Sequence, residues 1–390
     1  MDQKQKKYVT TWGNAISIAD RRPENYAKDL TLRYPVRTMF DGDRLKITLD
    51  NFCGTEPVTI SRVYVADSAD GERGIVEETN TPVTFNNGSR SVTIPAGEAA
   101  VSDEIPFRVR QGNDISVSFY LGEFTLMRSA VLITGPLSKG YYAVGDYAQS
   151  GVLPMDYTRN TNWFYFLSNV EIYTESTNRA VICYGDSITS QAWPDYLTLR
   201  LLNEKIAHTA IVRRAASGTR ILRQYDNITY DSYGLKGETR FPREAKVSGA
   251  DTIIIQHGIN DIIHPVGVDV NPFRPWSDLP TADELIAGLK RYVAWAKEYG
   301  LTVYMGTLLP IYGWRTYEDF RDELRCAVNE WIRTTPEIEG CIDFDKALRD
   351  HANPAAFAEG YDSGDHLHPS LKAYERMAAE VPLALLRGQP

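Results

Sequence analysis

Ala180-Val181-Ile182-Cys183-Tyr184-Gly185-Asp186-Ser187-Ile188-Thr189 decides the fold. Its first four residues are an apolar run, which predicts a buried strand, and Gly-Asp-Ser ends it. A strand ending this way lifts a hydroxyl to the carboxyl edge of a sheet, where open α/β sheets bind ligands. Ser187 is therefore a candidate nucleophile, provided a base and oxyanion donors lie on the same edge.

Downstream, strands and helices alternate. Trp193 to Leu202 reads as a helix with Pro194 in its first turn, Thr209–Val212 and Asp251–Ile255 as strands, and 282–299 as a helix closed by Gly300. Leu301–Met305 is a further strand, 317–333 a helix, Cys341–Phe344 a strand and 370–386 a closing helix. This alternation predicts a parallel sheet covered on both faces. Upstream, residues 8 to about 175 show period-two alternation instead, in Arg44–Leu49, Val58–Val65, Ser91–Ile94 and Ile115–Leu121. Turn signals such as Asp41-Gly42, Asp70-Gly71 and Asn86-Asn87-Gly88 separate these runs, so an all-β sandwich, jelly-roll-like, is expected. The domains expected are 1–175 and 176–390, with the boundary somewhere in 170–179, where Thr174–Arg179 is polar.

The length of 390 residues agrees with two domains, because single cores rarely grow past about 250–300 residues. Lys and Arg total 42 against 51 Asp and Glu, a formal charge of −9. An acidic chain is a poor partner for nucleic acid or an anionic membrane surface. No run reaches the roughly 18 apolar residues of a membrane span. Charged residues open the chain with no apolar run after them, so no signal peptide is read. The expected address is cytoplasmic, or secreted if a leader has been removed. Cys53, Cys183, Cys326 and Cys341 lack metal or redox spacing and read as free thiols. The six histidines form no metal motif, and neither Walker nor Rossmann glycine patterns occur, so no metal and no cofactor are expected. The oligomeric state is not legible.

A base and its orienting group stand near the C-terminus in Asp365-His366-Leu367-His368. Three residues apart, Asp365 and His368 can share one side of a turn, with His366 pointing elsewhere. Asn260 follows the strand Asp251–Ile255, and Gly218 lies in the loop Arg213–Arg220 after Thr209–Val212. Taken singly, Asn260-Asp261 reads as a turn-forming pair and Gly218 as an ordinary loop glycine. His257 could line the site or pack at the strand end.

Together these blocks resemble the SGNH (GDSL-type) hydrolase superfamily: Gly185-Asp186-Ser187, Gly218, Gly258-Ile259-Asn260-Asp261 and Asp365-His366-Leu367-His368. The resemblance covers roughly residues 178–388 and implies a flavodoxin-like sheet. It implies Ser187 as nucleophile, His368 as base, Asp365 as its orienter, and an oxyanion hole from Ser187 N–H, Gly218 N–H and the Asn260 amide. The chain departs from the pattern just before Gly218, where Arg213-Arg214-Ala215-Ala216 stands in place of the more usual Asn or Asp. The N-terminal half resembles the accessory β-sandwich of polysaccharide-associated acetylesterases and arylesterases, through Thr10-Thr11-Trp12-Gly13, Leu49-Asp50-Asn51-Phe52-Cys53-Gly54 and Val92-Thr93-Ile94-Pro95-Ala96-Gly97.

That second resemblance implies carbohydrate esters. Trp276, in a Pro-rich insertion at 266–280, and Tyr312, Trp314 and Tyr361 are candidate sugar-stacking residues on the same sheet edge. Each could equally be ordinary loop packing. The short loop bounded by Trp193 favours a small acyl group. The expected function is a serine esterase that removes acetyl groups from an acetylated oligosaccharide or other small ester. The alternatives are a general short-chain or aryl esterase, and a non-catalytic carbohydrate-binding protein.

Overall fold

The protein is described by a computed structural model that covers residues 5–19, 26–69, 73–154, 156, 158–224, 233–266 and 274–388. The Asp70-Gly71 turn and residues 267–273 of the Pro-rich insertion lie outside the described residues. The chain divides into two compact units, 1–180 with 207–212, and 181–206 with 213–390.

The first unit is rich in antiparallel strands. One sheet runs Lys6–Gly13, Leu167–Glu175, Gly42–Asp50 and Ala99–Val101, with Ile105–Val109 also paired to Gly42–Asp50. A six-stranded sheet runs Thr158–Thr161, Gly140–Val144, Leu30–Arg37, Asp114–Leu121, Arg62–Asp67 and Thr81–Pro82. Period-two burial is plain in Ile105–Val109, where Ile105, Phe107 and Val109 are buried between exposed Pro106 and Arg108. The alternation over Val58–Val65 is two strands, not one. Val58–Ile60 pairs with Val92–Ile94, and Arg62–Asp67 joins the six-stranded sheet. The break is Ser61, whose N–H goes to Tyr120 O and whose Oγ accepts the Gly122 N–H.

The C-terminal region carries a five-stranded parallel sheet. Its order is Thr209–Ala215, Arg179–Gly185, Ala250–Gln256, Thr302–Gly306, Gly340–Ile342. In chain order this is 2-1-3-4-5, the flavodoxin-like order, whose switch point lies between the first and third strands. The strand before Ser187 is buried along its whole length, as a central strand covered on both faces must be. Two groups of helices supply the cover. Trp193–Asn203 packs with Leu371–Glu380, and Ala282–Glu298 packs with Asp319–Thr334.

Helix ends follow the local chemistry. Thr281 and Glu284 form a capping box at the start of Ala282–Glu298, and Gly300 takes the left-handed turn (φ 76°) after its end. The closing helix is broken into Leu371–Glu380 and Leu383–Arg387, because Pro382 cannot continue a helix. The last strand stops at Ile342, where Asp343 turns to cap the helix Phe344–Leu348. The second strand extends past Val212 through Arg213 and Arg214, which the sequence assigned to a loop. Their burial is possible because Arg213 pairs with Asp195 at 2.6 Å and Arg214 donates to the Glu244 carbonyl. None of the four cysteines forms a disulfide among the described residues, and Cys326 is exposed.

Candidate active site

The turn after the first strand is shaped by lack of room. A Cβ on Gly185 would collide with the carbonyl oxygen of Gln256 on the neighbouring strand. Asp186 then caps the short helix Ser187–Ser190, its Oδ1 accepting the Ile188 N–H at 3.0 Å. Its Oδ2 is buried with no hydrogen-bond partner among the described residues. Burial pushes the Asp186 carboxyl up to about 7, against the opposing pull of the Ile188 N–H, His368 and Arg240. Ser187 opens the helix, where the first N–H groups have no intrahelical acceptor.

Ser187 Oγ lies 2.8 Å from His368 Nε2, and His368 Nδ1 lies 2.6 Å from Asp365 Oδ2. A carboxylate only accepts, so Nδ1 carries the proton and Nε2 faces the serine as an acceptor. Asp365 Oδ1 accepts the N–H groups of His368 (2.8 Å) and Leu367 (3.0 Å) and the Ser363 hydroxyl (3.1 Å). Partial burial works to raise the Asp365 carboxyl, but these bonds and the imidazole hold it well below the usual carboxylate range. His366 turns away with φ 64° and its ring pairs with Asp362 at 2.5 Å, lying against Gly313. It takes no part in the serine–histidine contact.

The loop bearing Gly218 packs on the serine turn. Ala216 donates to Gly185 O at 3.2 Å, and Ser217 Oγ lies 3.2 Å from Ser190 Oγ. Gly218 has φ 77°, and a Cβ there would collide with the Tyr233 ring. A glycine is needed on both counts. Asn260 lies in the helix Ile259–Ile263, just past the third strand, and is buried. Its Nδ2 donates to Thr219 O at 3.0 Å, so the amide is turned nitrogen-first towards the Gly218 loop. Asp261 is more than a turn-former: it accepts the N–H groups of Ile221 (2.8 Å) and Leu222 (3.0 Å), stitching the two loops together.

The aromatic candidates divide. Tyr312 is half exposed, edge-on to Tyr317 at 5.1 Å, and Trp314 lies beneath the Arg315 guanidinium. Gly313 between them packs on the His366 ring, so this loop adjoins the Asp365–His368 turn. Tyr361 precedes the same turn with the Lys372 ammonium 5.5 Å above its ring. Trp276 is exposed but packs edge-on to Phe320 and beneath Arg321, at the start of the helix Asp319–Thr334. Trp193 is wholly buried, donating to Thr189 Oγ1 and facing Phe344, so it offers no exposed face to an acyl group.

Sequence reasoning missed Thr219, Arg240 and the helix Gly237–Glu244 that holds Arg240. It left His257 open. The structure buries His257 against Thr219, with burial pushing its pKa down to about 3. A hydroxyl hydrogen-bonded to an imidazole that a carboxylate orients can lose its proton as it attacks an acyl carbon. N–H donors beside it can hold the oxyanion that forms.

The model of the GDSL-like lipase/acylhydrolase family matches residues 183–376. No curated protein matches the chain. Among solved structures, a protein described as lipolytic and of the G-D-S-L family from Desulfitobacterium hafniense DCB-2 is 19% identical. The match covers 52% of this chain and 97% of that one, with a TM-score of 0.37. A lipase/acylhydrolase from Enterococcus faecalis is 19% identical over 52% of this chain and 93% of its own, with a TM-score of 0.38. A catalytic mutant of an acetylxylan esterase from Geobacillus stearothermophilus is 16% identical over 54% of this chain and 95% of its own, with a TM-score of 0.38. With its parallel sheet and its Gly185-Asp186-Ser187 turn, the segment 183–376 is a domain of the GDSL-like lipase/acylhydrolase family.

Proposed function

We propose that the C-terminal domain is a carboxylic ester hydrolase that removes short acyl groups, acetyl above all, from carbohydrate esters. One observation carries the reading: Ser187 Oγ stands 2.8 Å from His368 Nε2, and His368 Nδ1 stands 2.6 Å from Asp365. Ser187 gives its proton to His368 Nε2 as Oγ attacks the acyl carbonyl. The tetrahedral oxyanion is held by Ser187 N–H, Gly218 N–H and the Asn260 amide. His368 returns the proton to the leaving alcohol oxygen. Water, deprotonated in turn by His368, then resolves the acyl-enzyme. Asp365 stays ionised and stabilises the imidazolium throughout.

The carbohydrate part of the reading rests on Tyr312, Trp314 and Tyr361, which border the His368 turn; of these, Tyr312 is the exposed ring on which a sugar would stack. Trp276, exposed beside Phe320 and Arg321, is a further proposed contact. The N-terminal unit is read as the accessory module of such an esterase. Hydrolysis of 4-nitrophenyl acetate by wild type and by Ser187→Ala tests the chemistry; equal rates would refute it. Mass spectrometry of acetylated xylo- and manno-oligosaccharides tests the substrate. Stepwise loss of acetyl groups from one sugar class names it, whereas activity on the aryl ester alone points to a general short-chain esterase.

A further inference from the structure

Behind the Gly218 loop lies a buried polar cluster that plays no part in the chemistry above. Thr219 is at its centre and is 1% exposed. Its carbonyl accepts twice, from Asn260 Nδ2 at 3.0 Å and from His257 Nε2 at 3.0 Å. Because a carbonyl only accepts, His257 carries its proton on Nε2, and its Nδ1 accepts the Tyr292 hydroxyl at 3.2 Å. The Thr219 hydroxyl donates to Ala216 O at 2.8 Å and accepts from Arg240 Nη1 at 2.8 Å. Arg240 is fully buried and cannot swing, since Glu244 holds it through Nε (3.0 Å) and Nη2 (2.7 Å). Its guanidinium also lies over the Tyr184 ring, one residue from Gly185.

This cluster has a directional consequence. A primary amide presents two N–H groups on one side and an oxygen on the other. Flipping Asn260 would set its Oδ1 against the Thr219 carbonyl, two acceptors in contact. The Thr219 carbonyl therefore decides that Asn260 is a donor and fixes the plane in which its second N–H points. The same residue's hydroxyl, clamped between Ala216 O and Arg240, closes the turn that contains Gly218.

We propose that Thr219 is a positioning residue that sets both oxyanion donors, the Gly218 N–H and the Asn260 amide, with its buried hydroxyl anchored by Arg240 and its carbonyl by His257. The proposal rests on the Ser187 esterase reading.

Three variants test it: Thr219→Val, which keeps the shape and loses the hydroxyl; Thr219→Ser, which keeps the hydroxyl; and His257→Phe, which keeps a ring but removes the N–H to the carbonyl. Each is assayed for kcat and KM on 4-nitrophenyl acetate, for thermal midpoint, and for the rate at which diethyl 4-nitrophenyl phosphate modifies the protein by intact mass. Thr219→Val is expected to lose about 10–100-fold in kcat, part of the cost of a whole oxyanion donor, with KM held within about twofold. Phosphorylation slows in the same proportion, because its transition state also loads charge on an oxygen in the hole. Thr219→Ser recovers to within about threefold of wild type. His257→Phe lowers kcat with KM retained, and carries the test if Thr219→Val does not fold.

Variants that react like wild type overturn the proposal, as does a loss confined to KM or a serine variant as impaired as the valine one. Wild type with no adduct on Ser187 overturns the esterase reading, and this proposal with it. Wild type with the adduct and unaltered variants overturns the proposal alone.

Discussion

Replacing Asp365 by asparagine removes a charge and no volume, and the surrounding donors dictate the outcome. Three of them, the N–H groups of Leu367 and His368 and the Ser363 hydroxyl, converge on Oδ1 at 2.8–3.1 Å. The two backbone N–H groups can only donate, so the asparagine must place its own oxygen there and its NH2 where Oδ2 now meets His368 Nδ1. An NH2 facing Nδ1 forces that nitrogen to accept. The ring proton then moves to Nε2, 2.8 Å from Ser187 Oγ, where a donor replaces the acceptor the serine needs. Forcing the wrong tautomer in such a triad costs about 10⁴-fold in kcat, equivalent to about 5 kcal/mol of transition-state stabilisation. Stability should hardly move, since the side chain is 44% exposed and its backbone bonds survive; the change should stay under about 1 kcal/mol. Steady-state kinetics on 4-nitrophenyl acetate, beside urea denaturation of both proteins, gives the two numbers. A kcat/KM for Asp365→Asn within about tenfold of wild type would refute the tautomer argument and the role of Asp365 with it.

Two further outcomes follow from buried charges. The Asp186 carboxyl is pushed up to about 7 by burial and by Asp261, while the Ile188 N–H, His368 and Arg240 oppose the rise; its charge in turn helps raise the buried Tyr374 hydroxyl. A carboxyl raised in the native state holds a proton that the unfolded chain releases, so wild-type stability falls as pH rises from about 4 through about 7 and is then level. Asp186→Asn has no such proton, and its stability relative to wild type should climb over that window by a few kcal/mol, on the order of 4 at most. Urea melts at pH 5 and pH 8 check this, and a difference independent of pH would sink it. Asp345 is 2% exposed and accepts from Arg325 (2.6 Å), Arg333 (2.7 Å) and Arg349 (3.2 Å). Asp345→Ala leaves the buried Arg325 short of its counter-charge and should cost about 3 kcal/mol, softened from the usual 3–5 because Asp322 still pairs with it. A loss below about 1 kcal/mol in the same melts would contradict that account.

The parallel sheet was legible because its strands are continuous apolar runs and its helices repeat at 3.6 residues. Ser187, Asn260 and the Asp365–His368 pair were legible because each sits at a strand or helix end marked by glycine or a polar turn. Part of what escaped is charge that the fold neutralises internally. Arg213 and Arg214 read as a loop because two adjacent arginines do not look like a strand. Partners distant in sequence, among them Asp195 for Arg213 and the Glu244 carbonyl for Arg214, make their burial tolerable. Pro242 likewise hid the helix Gly237–Glu244, which carries the buried Arg240–Glu244 pair across one turn. The Val58–Val65 alternation concealed a change of partner, because period two reports which face is buried and not which strand lies beside it.

The same reasoning explains why Thr219 left no mark in the sequence. A threonine one residue after a glycine has no motif, and its importance lies in what accepts and donates around it. Sheet order brings those partners together. In the order 2-1-3, the Gly218 loop leaves the strand on one side of the first strand, and Asn260 leaves the strand on the other. The two loops can meet only by crossing over the end of the first strand, where Gly185 is stripped of its side chain. Thr219 is where they meet, bonded at once to Asn260, His257 and Arg240. In the proposed esterase, a nucleophile presented at that strand end would have both donors brought to it by topology. On that proposal, the residue that sets their angle is the one at the crossing, and not one of those that would touch the ester.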